Sequence, residues 1–428
     1  MSDSPILYIR RNDMKKSMKT IFALFTVSFL TFCFLFTSLS IAQEMPKPGE
    51  VIDKGNYKKY QHLFPDFFLP GFEDGWGGLF KPISIKVSET KPGGQPKAYL
   101  ALSEKNRGKY TIDKDGFIAG GYDYTGLPFP GVTPEDKDFA TKFMYNYRYK
   151  YWRDDLHAPS IQYSQRKGEA ATYLIMVETS ISFINRMYDA PKPLYKTPSG
   201  LQYALLLHDT YPPDIKDLMT MTHRYLDPKK SDDVYLYIPS MRRVLRSEAG
   251  QRSTPIQGIM YALDDFFGGF DGRTDEFTYK FLREQKVLAC TETNMNVELA
   301  KKMHKEIGGR VPFPVENWSL RDVYVIEITA KEAKYPQSKK IVYFDKEGLA
   351  CLYTAAYDRA GKLWKIFGLI GRRDTLPDGD TTLYLGGQWG ADLQFGLGTT
   401  FMTDFFKLAG NGVKYPDIMP SALIKKVR

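Results

Sequence analysis

The strongest constraint on this fold is a long succession of short segments rich in β-branched and aromatic residues. Turn sequences such as those at 345–348 and 358–361 separate several of these segments. Strand-like segments joined by turns predict a meandering antiparallel sheet rather than alternating βαβ units. The predicted strands lie at 173–184, 203–208, 233–245, 277–281, 322–329, 340–344, 350–357, 364–370 and 382–385.

A few helices are predicted to pack against this sheet. Thr133 has the character of an N-cap, because a proline follows at the first helical position and acids fill the first turn. Phe139, Phe143 and Tyr147 then recur at four-residue spacing, which gives this helix one apolar face. The predicted fold class is α+β, with a large antiparallel sheet covered by helices. Further helices are predicted near 256–267 and 297–307, and a last one at 400–408.

The first 42 residues have the pattern of a secretory leader. A basic region that ends at Lys19 precedes an apolar run over 21–39, and Ser40-Ile41-Ala42 matches the small-x-small cleavage pattern. We therefore predict a signal peptide over 1–42 that is removed before Gln43. The apolar run is also long enough for a membrane anchor, so a retained anchor stays open as the alternative.

The remaining chain is predicted to form one domain with two parts. Residues 43–135 are rich in proline and glycine and are interpreted as a segment that wraps the core. Residues 136–428 are expected to form the main sheet domain. Cys290 and Cys351 are the two cysteines after the leader. In an oxidising compartment they could form a disulfide, and the sequence leaves that pairing open.

The sequence favours a binding protein over an enzyme. No nucleophile elbow, zinc-protease helix or phosphate-binding loop occurs, and the five histidines have no metal-site spacing. We therefore predict no catalytic residues, no metal site and no cofactor. A hydrolase using Asp264 or His223 remains as an alternative. The formal net charge of +9 is small for 428 residues, which argues against nucleic acid as a partner.

Apolar strand residues and one arginine cluster are the candidate ligand contacts. Each apolar residue could serve ordinary core packing or line a cavity between sheet and helices. The arginines could bind an anionic head group, or could pair with Asp264, Asp265 and Asp271 in a structural network. The apolar candidates are Leu205, Leu207, Leu236, Ile238, Val325, Ile328 and Val342, and the arginines are Arg242, Arg243 and Arg246, with Arg252 further on.

The central part of the chain resembles a family of secreted bacterial proteins known as "outer membrane lipoprotein-sorting protein". The resemblance covers roughly residues 170–360. It is carried by the sequence HRYLDPKKSDDVYLYIPSMRRVLR at 223–246, by DDF at 264–266, by GFDG at 269–272 and by FTYK at 277–280. The family has no agreed function and offers no catalytic residues to transfer.

This resemblance implies a LolA/LolB-like fold, an incomplete antiparallel barrel closed by helices around an apolar cavity. It also implies a Gram-negative periplasm, with a peripheral place at the outer membrane as an option. The expected cargo is a lipid, an acylated molecule or another hydrophobic compound. The expected partners are an RND/MmpL-like inner-membrane transporter and an outer-membrane β-barrel protein. The alternative is a periplasmic adaptor or scaffold of such a transport complex that carries no cargo.

Overall fold

One antiparallel sheet of 13 strands organises the molecule. The computed structural model describes residues 44–227, 230–247, 252–253, 260–404 and 406–426. The predicted signal peptide and its cleavage site lie outside these residues, apart from the first positions after the leader. The chain from Pro46 onward forms one unit.

The sheet consists of two meandering arms that meet at one strand pair. The spatial order is β10-β9-β8-β7-β6-β5-β17-β16-β15-β14-β13-β12-β11, so only β5 and β17 are neighbours in the sheet without being neighbours in sequence. The sheet is open, with β10 and β11 at its edges. Its strands are β5 (Asp155–Arg166), β6 (Thr172–Ser182), β7 (Leu201–Tyr211), β8 (Met219–Tyr225), β9 (Asp233–Ile238), β10 (Arg243–Ser247), β11 (Phe277–Cys290), β12 (Trp318–Ala330), β13 (Gln337–Asp345), β14 (Cys351–Asp358), β15 (Leu363–Thr375), β16 (Thr381–Asp392) and β17 (Leu397–Thr403).

The predicted antiparallel sheet with helices is confirmed, and the helix predicted at 400–408 is wrong. The helix predicted near 256–267 lies partly outside the described residues, and its described part has only the short elements Leu263–Asp265 and Phe266–Gly269. Residues 400–403 belong to β17, which pairs with β16 on one side and β5 on the other. Thr399 and Thr400 are fully buried in this strand. β-Branched residues pack well on a pleated surface, and here they complete the junction of the two arms.

The smaller elements lie outside the main sheet. Two short antiparallel pairs join β1 (Val51–Ile52) to β2 (Ile85–Lys86) and β3 (Thr111–Ile112) to β4 (Ile118–Ala119). The helices in the described residues are α1 (Pro70–Gly78), α2 (Lys97–Ser103), α3 (Phe139–Tyr149), α4 (Phe266–Gly269), α5 (Val297–Glu306) and α6 (Pro420–Lys425). Short 3-10 turns occur at Tyr57–Leu63, Asp66–Phe68, Glu104–Asn106, Leu263–Asp265, Thr274–Glu276 and Tyr415–Ile418.

Helix α3 begins at Phe139 rather than at the predicted cap, Thr133. The Thr133 N–H donates to the Asp136 carboxylate at 2.8 Å and closes a separate turn. Asp138 then adopts φ 60°, a left-handed conformation that interrupts any continuous helix before Phe139. The sequence at 133–136 therefore stabilises a turn that precedes the helix, and it does not cap the helix itself.

The first face of the sheet packs against the segment that precedes it in the chain. We define this face by Val323, Val325, Tyr343, Ile366 and Trp389, which belong to one buried cluster. The ring of Trp76 stacks on Trp389 at 5.0 Å, and that of Phe68 meets it edge-on at 5.6 Å. At Gly368 a Cβ would collide with the Trp389 indole, so glycine is needed beneath this ring.

The second face of the sheet packs against α3. We define this face by Ile326, Ile328, Val342 and Phe344, which alternate with the first-face residues along β12 and β13. The α3 rings of Phe143 and Tyr147 lie 5.5 and 4.8 Å from Phe344, as the four-residue spacing predicted. The sheet is thus covered on both faces in this region.

The connection between β10 and β11 is held against the second face by buried ion pairs. Asp265 accepts from Lys340 Nζ at 2.9 Å and from Lys365 Nζ at 3.1 Å, and each of these side chains is at most 2% exposed. Lys340 also donates to the Gly269 carbonyl, and Lys365 to that of Met260. Burial alone would raise the pKa of Asp265, but the two ammonium groups outweigh it and hold the pKa well below its ordinary value.

We expect Asp265→Asn to lower the free energy of unfolding by about 3–5 kcal/mol, because two buried ammonium groups lose their counter-charge. Since folding lowers the pKa of Asp265, this stability is present above the unfolded pKa of about 3.9 and is lost as the pH falls below it. Guanidinium unfolding at several pH values measures both effects.

The matched control is Asp322→Asn. Asp322 pairs with Lys286 at 2.8 Å, but its side chain is 61% exposed, so its loss should cost about 1 kcal/mol or less. Equal effects of the two substitutions would contradict the structural role of Asp265.

Candidate functional site

A cavity of about 80 Å³ lies between the end of α3, the turn α4 and the second face of the sheet. The backbone after Tyr147 supplies one wall, and strands β7 and β14–β16 supply the other. Several lining side chains, among them Lys150, Trp152 and Phe267, are partly exposed, so the cavity communicates with solvent. Its apolar lining includes Tyr147, Trp152, Tyr203, Phe267, Leu369, Leu383 and Leu385, and its polar lining includes Gln95, Arg148, Lys150, Ser182, Gln202 and Asp271.

Two further cavities of about 20 Å³ each adjoin the first. Both are lined by Leu205 and Leu207 of β7 and by Phe266 of α4. Phe267 lines all three cavities.

Phe267 is held in an uncommon conformation. Its φ of 58° is left-handed, which costs energy for an aromatic residue and persists only where the surroundings impose it. Its ring meets the Trp152 ring edge-on at 4.9 Å. Gly268 follows with φ 86°, and a Cβ there would collide with the backbone oxygen of Cys351. The turn therefore presses close to β14 while its phenylalanine faces the cavities.

A buried charge network borders the cavity. Asp271 pairs with Arg148, Arg224 and Arg252 at 3.0–3.2 Å. Asp232 pairs with Arg224 and Arg252, and Arg252 also reaches Asp264 at 2.9 Å. Within this network the three guanidinium groups balance the three carboxylates.

Lys150 is the cation of the cavity that this network does not neutralise. Its Nζ donates to the Leu349 carbonyl at 2.6 Å and lies 4.2 Å from the centroid of the Tyr147 ring. Among the residues that the structure describes, no carboxylate lies within 4.0 Å of this nitrogen. Burial lowers the pKa of Lys150 to about 7.

Three buried polar atoms on the cavity lining lack hydrogen-bond partners in the described part of the chain. They are Gln95 Oε1, Tyr151 OH and Ser182 Oγ. Each of these residues is 5% exposed or less. Because a buried polar group without a partner is costly, a ligand or water molecule that reached these atoms would satisfy them.

The structure separates the apolar residues predicted to line a cavity. Leu205 and Leu207 line the two smaller cavities. Leu236 and Ile238 lie on β9, two strands away from β7, and are half-buried, but they do not line these three cavities. Val325 belongs to the first-face core, whereas Ile328 and Val342 are buried beneath α3.

The predicted arginine cluster does not reach the cavities. Arg242 and Arg243 are exposed at the β9–β10 hairpin. Arg246 is exposed as well and pairs with Asp233. The arginine–aspartate network foreseen as the alternative does exist around Asp264 and Asp271, but Arg252 is the member of the cluster that joins it.

Sequence reasoning missed Arg148, Lys150, Trp152 and Phe267. The sequence YRYKYWRD at 147–154 interleaves basic and aromatic residues, and this alternation was the available signal. The other contributors to the cavity come from distant positions, at 202–203, 267–271, 348–351 and 383–385. Only the folded sheet brings them together.

Both cysteines are free and buried in the structure, so the disulfide that the sequence left open is not formed there. Cys290 ends β11 in the first-face cluster, and Cys351 begins β14 in the second-face cluster. The Cys351 thiol donates to the Gly268 carbonyl at 3.0 Å. Burial raises the pKa of each thiol to about 12.

The two residues of the hydrolase alternative are engaged in separate structural contacts. His223 Nε2 lies 2.7 Å from the Ile418 carbonyl oxygen. Asp264 pairs with Arg252 and accepts from the Tyr335 hydroxyl. In the described residues, no cluster of three or more histidine, cysteine or acidic side chains has the arrangement of a metal site.

Comparison with known proteins gives a family. The family model "Protein of unknown function (DUF1329)" matches residues 51–394. The chain belongs to this family. The match confirms the family resemblance found at 170–360 and extends it toward both termini of this DUF1329 protein.

Solved structures give weaker similarities. An "outer membrane lipoprotein-sorting protein domain" from Vibrio parahaemolyticus is 18% identical with a TM-score of 0.46, covering 63% of this chain and 91% of that one. A DUF1329 family protein from Desulfovibrio piger is 16% identical with a TM-score of 0.45, covering 63% and 92%. A LolA superfamily protein from Nitrosomonas europaea is 12% identical with a TM-score of 0.40, covering 64% and 93%.

No curated protein matches this DUF1329 protein significantly. Within the described residues, none of its helices has the length and apolar character needed to cross a membrane.

In this DUF1329 protein we expect Cys290 and Cys351 to resist maleimide labelling in the native state, because both are buried with raised pKa values. Denaturation without reductant should expose both as free thiols. Phe267→Ala should speed native labelling of Cys351, which lines the same cavity, while Cys290 serves as the internal control. Peptide mass spectrometry reads both sites, and a linked pair of peptides would contradict the free thiols.

Proposed function

We propose that this protein is a periplasmic carrier or chaperone that binds a lipid, an acylated molecule or another hydrophobic cargo, and that it is not an enzyme. The binding site is the group of cavities around Phe267, between the second face of the sheet and the end of α3. The observation that carries the proposal is this apolar, partly open group of cavities.

The cavity walls suit an apolar chain. The apolar lining is discontinuous. It consists of Leu205 and Leu207 in the smaller cavities and of Leu369, Leu383 and Leu385 in the larger one. Moving a chain from water into such surroundings gains about 0.8 kcal/mol for each buried CH₂ group. The same free energy opposes release of an unshielded chain into the aqueous periplasm. A carrier that shields the chain is needed for this reason.

The size of the cavities requires a movement on binding. The volumes of about 80, 20 and 20 Å³ are below the roughly 300–1,000 Å³ of ordinary small-molecule sites. Phe267 lines all three cavities, while Asp265 before it and the Gly269 carbonyl after it are both bound to Lys340. A rotation of the Phe267 side chain would join the cavities and leave these bonds intact.

The cellular setting of the proposal comes from the predicted signal peptide and the family resemblance. They favour a Gram-negative periplasm, where the protein would exchange cargo with an RND/MmpL-like inner-membrane transporter and an outer-membrane β-barrel protein. The exposed Arg242 and Arg243 at the β9–β10 hairpin are our candidates for contact with an acidic partner surface or with anionic lipid head groups.

A second candidate is a non-carrying adaptor of such a transport complex. It is favoured by the cover on both faces of the sheet and by the small volume of each cavity. An adaptor would pull down the transporter or the outer-membrane protein and would have no affinity for apolar ligands.

Native mass spectrometry after gentle purification should find a co-purified apolar molecule, and a fluorescent fatty acid should bind the delipidated protein. Leu385→Trp should lower that affinity at least about tenfold, because the larger ring fills space that Leu385 shares between two cavities. Competition binding measures the change.

The matched control is Leu363→Trp, since Leu363 is also half-buried on the sheet but lines none of these cavities. A protein that is always empty and binds no fatty acid would contradict the carrier proposal and leave the adaptor.

A further inference from the structure

We infer that the cargo is an amphiphile with a single carboxylate head group, and that Lys150 binds this carboxylate in the cavity of about 80 Å³. The inference rests on the proposed function, since it names the chemical class of the cargo. Three observations support it: the charge balance around the cavity, its unpartnered donors, and the position of its apolar wall.

The charge balance leaves one positive charge for the ligand. Arg148, Arg224 and Arg252 are matched by Asp232, Asp264 and Asp271. The ammonium group of Lys150 contacts a carbonyl oxygen and an aromatic ring, and neither carries a charge. Burying an unpaired ammonium group is unfavourable, so one bound anion would complete the site.

The donors of the cavity suit an oxyanion. A carboxylate accepts hydrogen bonds and donates none. Tyr151 OH and Ser182 Oγ can donate, are buried on the cavity lining and have no partner among the described residues. Together with the Lys150 ammonium group they provide donors for both oxygens of a carboxylate, whose charge strengthens each bond.

The volume and the walls select an amphiphile over a free anion. A cavity of about 80 Å³ accommodates a head group, because a water molecule takes about 30 Å³ in the liquid. Leu383 and Leu385 of the same cavity continue past Phe267 toward Leu205 and Leu207. An apolar tail anchored at Lys150 would therefore follow this wall.

The site also predicts a pH dependence. Lys150 caps the C-terminus of α3, whose dipole favours a cation. Asp271, Asp345 and the Cys351 thiol raise its pKa, Arg148 lowers it, and burial, the largest effect, brings it to about 7. A carboxylate bound beside Lys150 would raise this pKa. The affinity of the carboxylate should therefore be constant between about pH 5.5 and pH 6, where ligand and Lys150 are both charged, and should fall above pH 7 by up to about tenfold per pH unit.

Calorimetric titration of the delipidated full chain with four probes tests the inference. Dodecanoate should bind more tightly than dodecanol and methyl dodecanoate, by about 10- to 100-fold at pH 6. Among these three probes, only dodecanoate should show an affinity that declines between pH 6 and pH 9. Dodecyl phosphate is the fourth probe, and tighter binding of this phosphate than of dodecanoate would overturn the carboxylate assignment.

Two variants assign the effect to Lys150. Lys150→Met should remove the preference for dodecanoate over dodecanol and the pH dependence, while Lys150→Arg should keep the preference and lose the pH dependence. Lys346→Met is the matched control, because Lys346 also lies over a tyrosine ring, 4.6 Å from that of Tyr324, but outside the cavity.

The outcomes separate this inference from the proposed function. If no probe binds, the carrier proposal itself fails. If dodecanoate and dodecanol bind equally in the wild-type protein at pH 6, the cavity binds apolar chains and the role of Lys150 is overturned. The wild-type pH series gives this answer even if a Lys150 variant fails to fold.

Discussion

The buried ion pairs of Asp265 with Lys340 and Lys365 determine how the rest of the molecule is arranged. The two lysines stand on β13 and β15 of the second face, and charges at such positions require a partner inside the protein. Asp265 supplies it from the connection between the two arms of the sheet. This connection is thereby fixed against the sheet, and the turn Phe266–Gly269 follows directly from its anchored end.

The candidate site depends on that anchored turn. Lys340 fixes both the Asp265 carboxylate and the Gly269 carbonyl, so the backbone on either side of Phe267 has little freedom. The left-handed Phe267 is held between these points with its ring against Trp152. The backbone of this turn is held in place, and Phe267 lines all three cavities. A rotation of the Phe267 side chain would therefore join the cavities without loss of the buried ion pairs.

The sequence was most informative where one local pattern determines one local structure. Alternating apolar residues predicted most strands of the sheet, and four-residue aromatic spacing predicted the buried side of α3. Strand β5 was missed because Pro159, Gln162 and Gln165 break its apolar pattern, although the last two are buried. Leu205 and Leu207, which line cavities in the structure, became candidates by the same alternation as Val325, which faces the opposite side of the sheet. Alternation along a strand does not tell which face holds a cavity.

The polar part of the site could not be predicted by local patterns. Lys150 is a candidate ligand contact because, in the described part of the chain, no carboxylate pairs with it. The carboxylate of Asp271 is instead bound to Arg148, Arg224 and Arg252, which come from three separate parts of the chain.

A crystal structure of the delipidated protein grown with dodecanoate tests this account most directly. It should contain the carboxylate within hydrogen-bond distance of Lys150 Nζ, with the alkyl chain passing a rotated Phe267 toward Leu205. Dodecanoate bound elsewhere, or absent with Phe267 unmoved, would contradict the account.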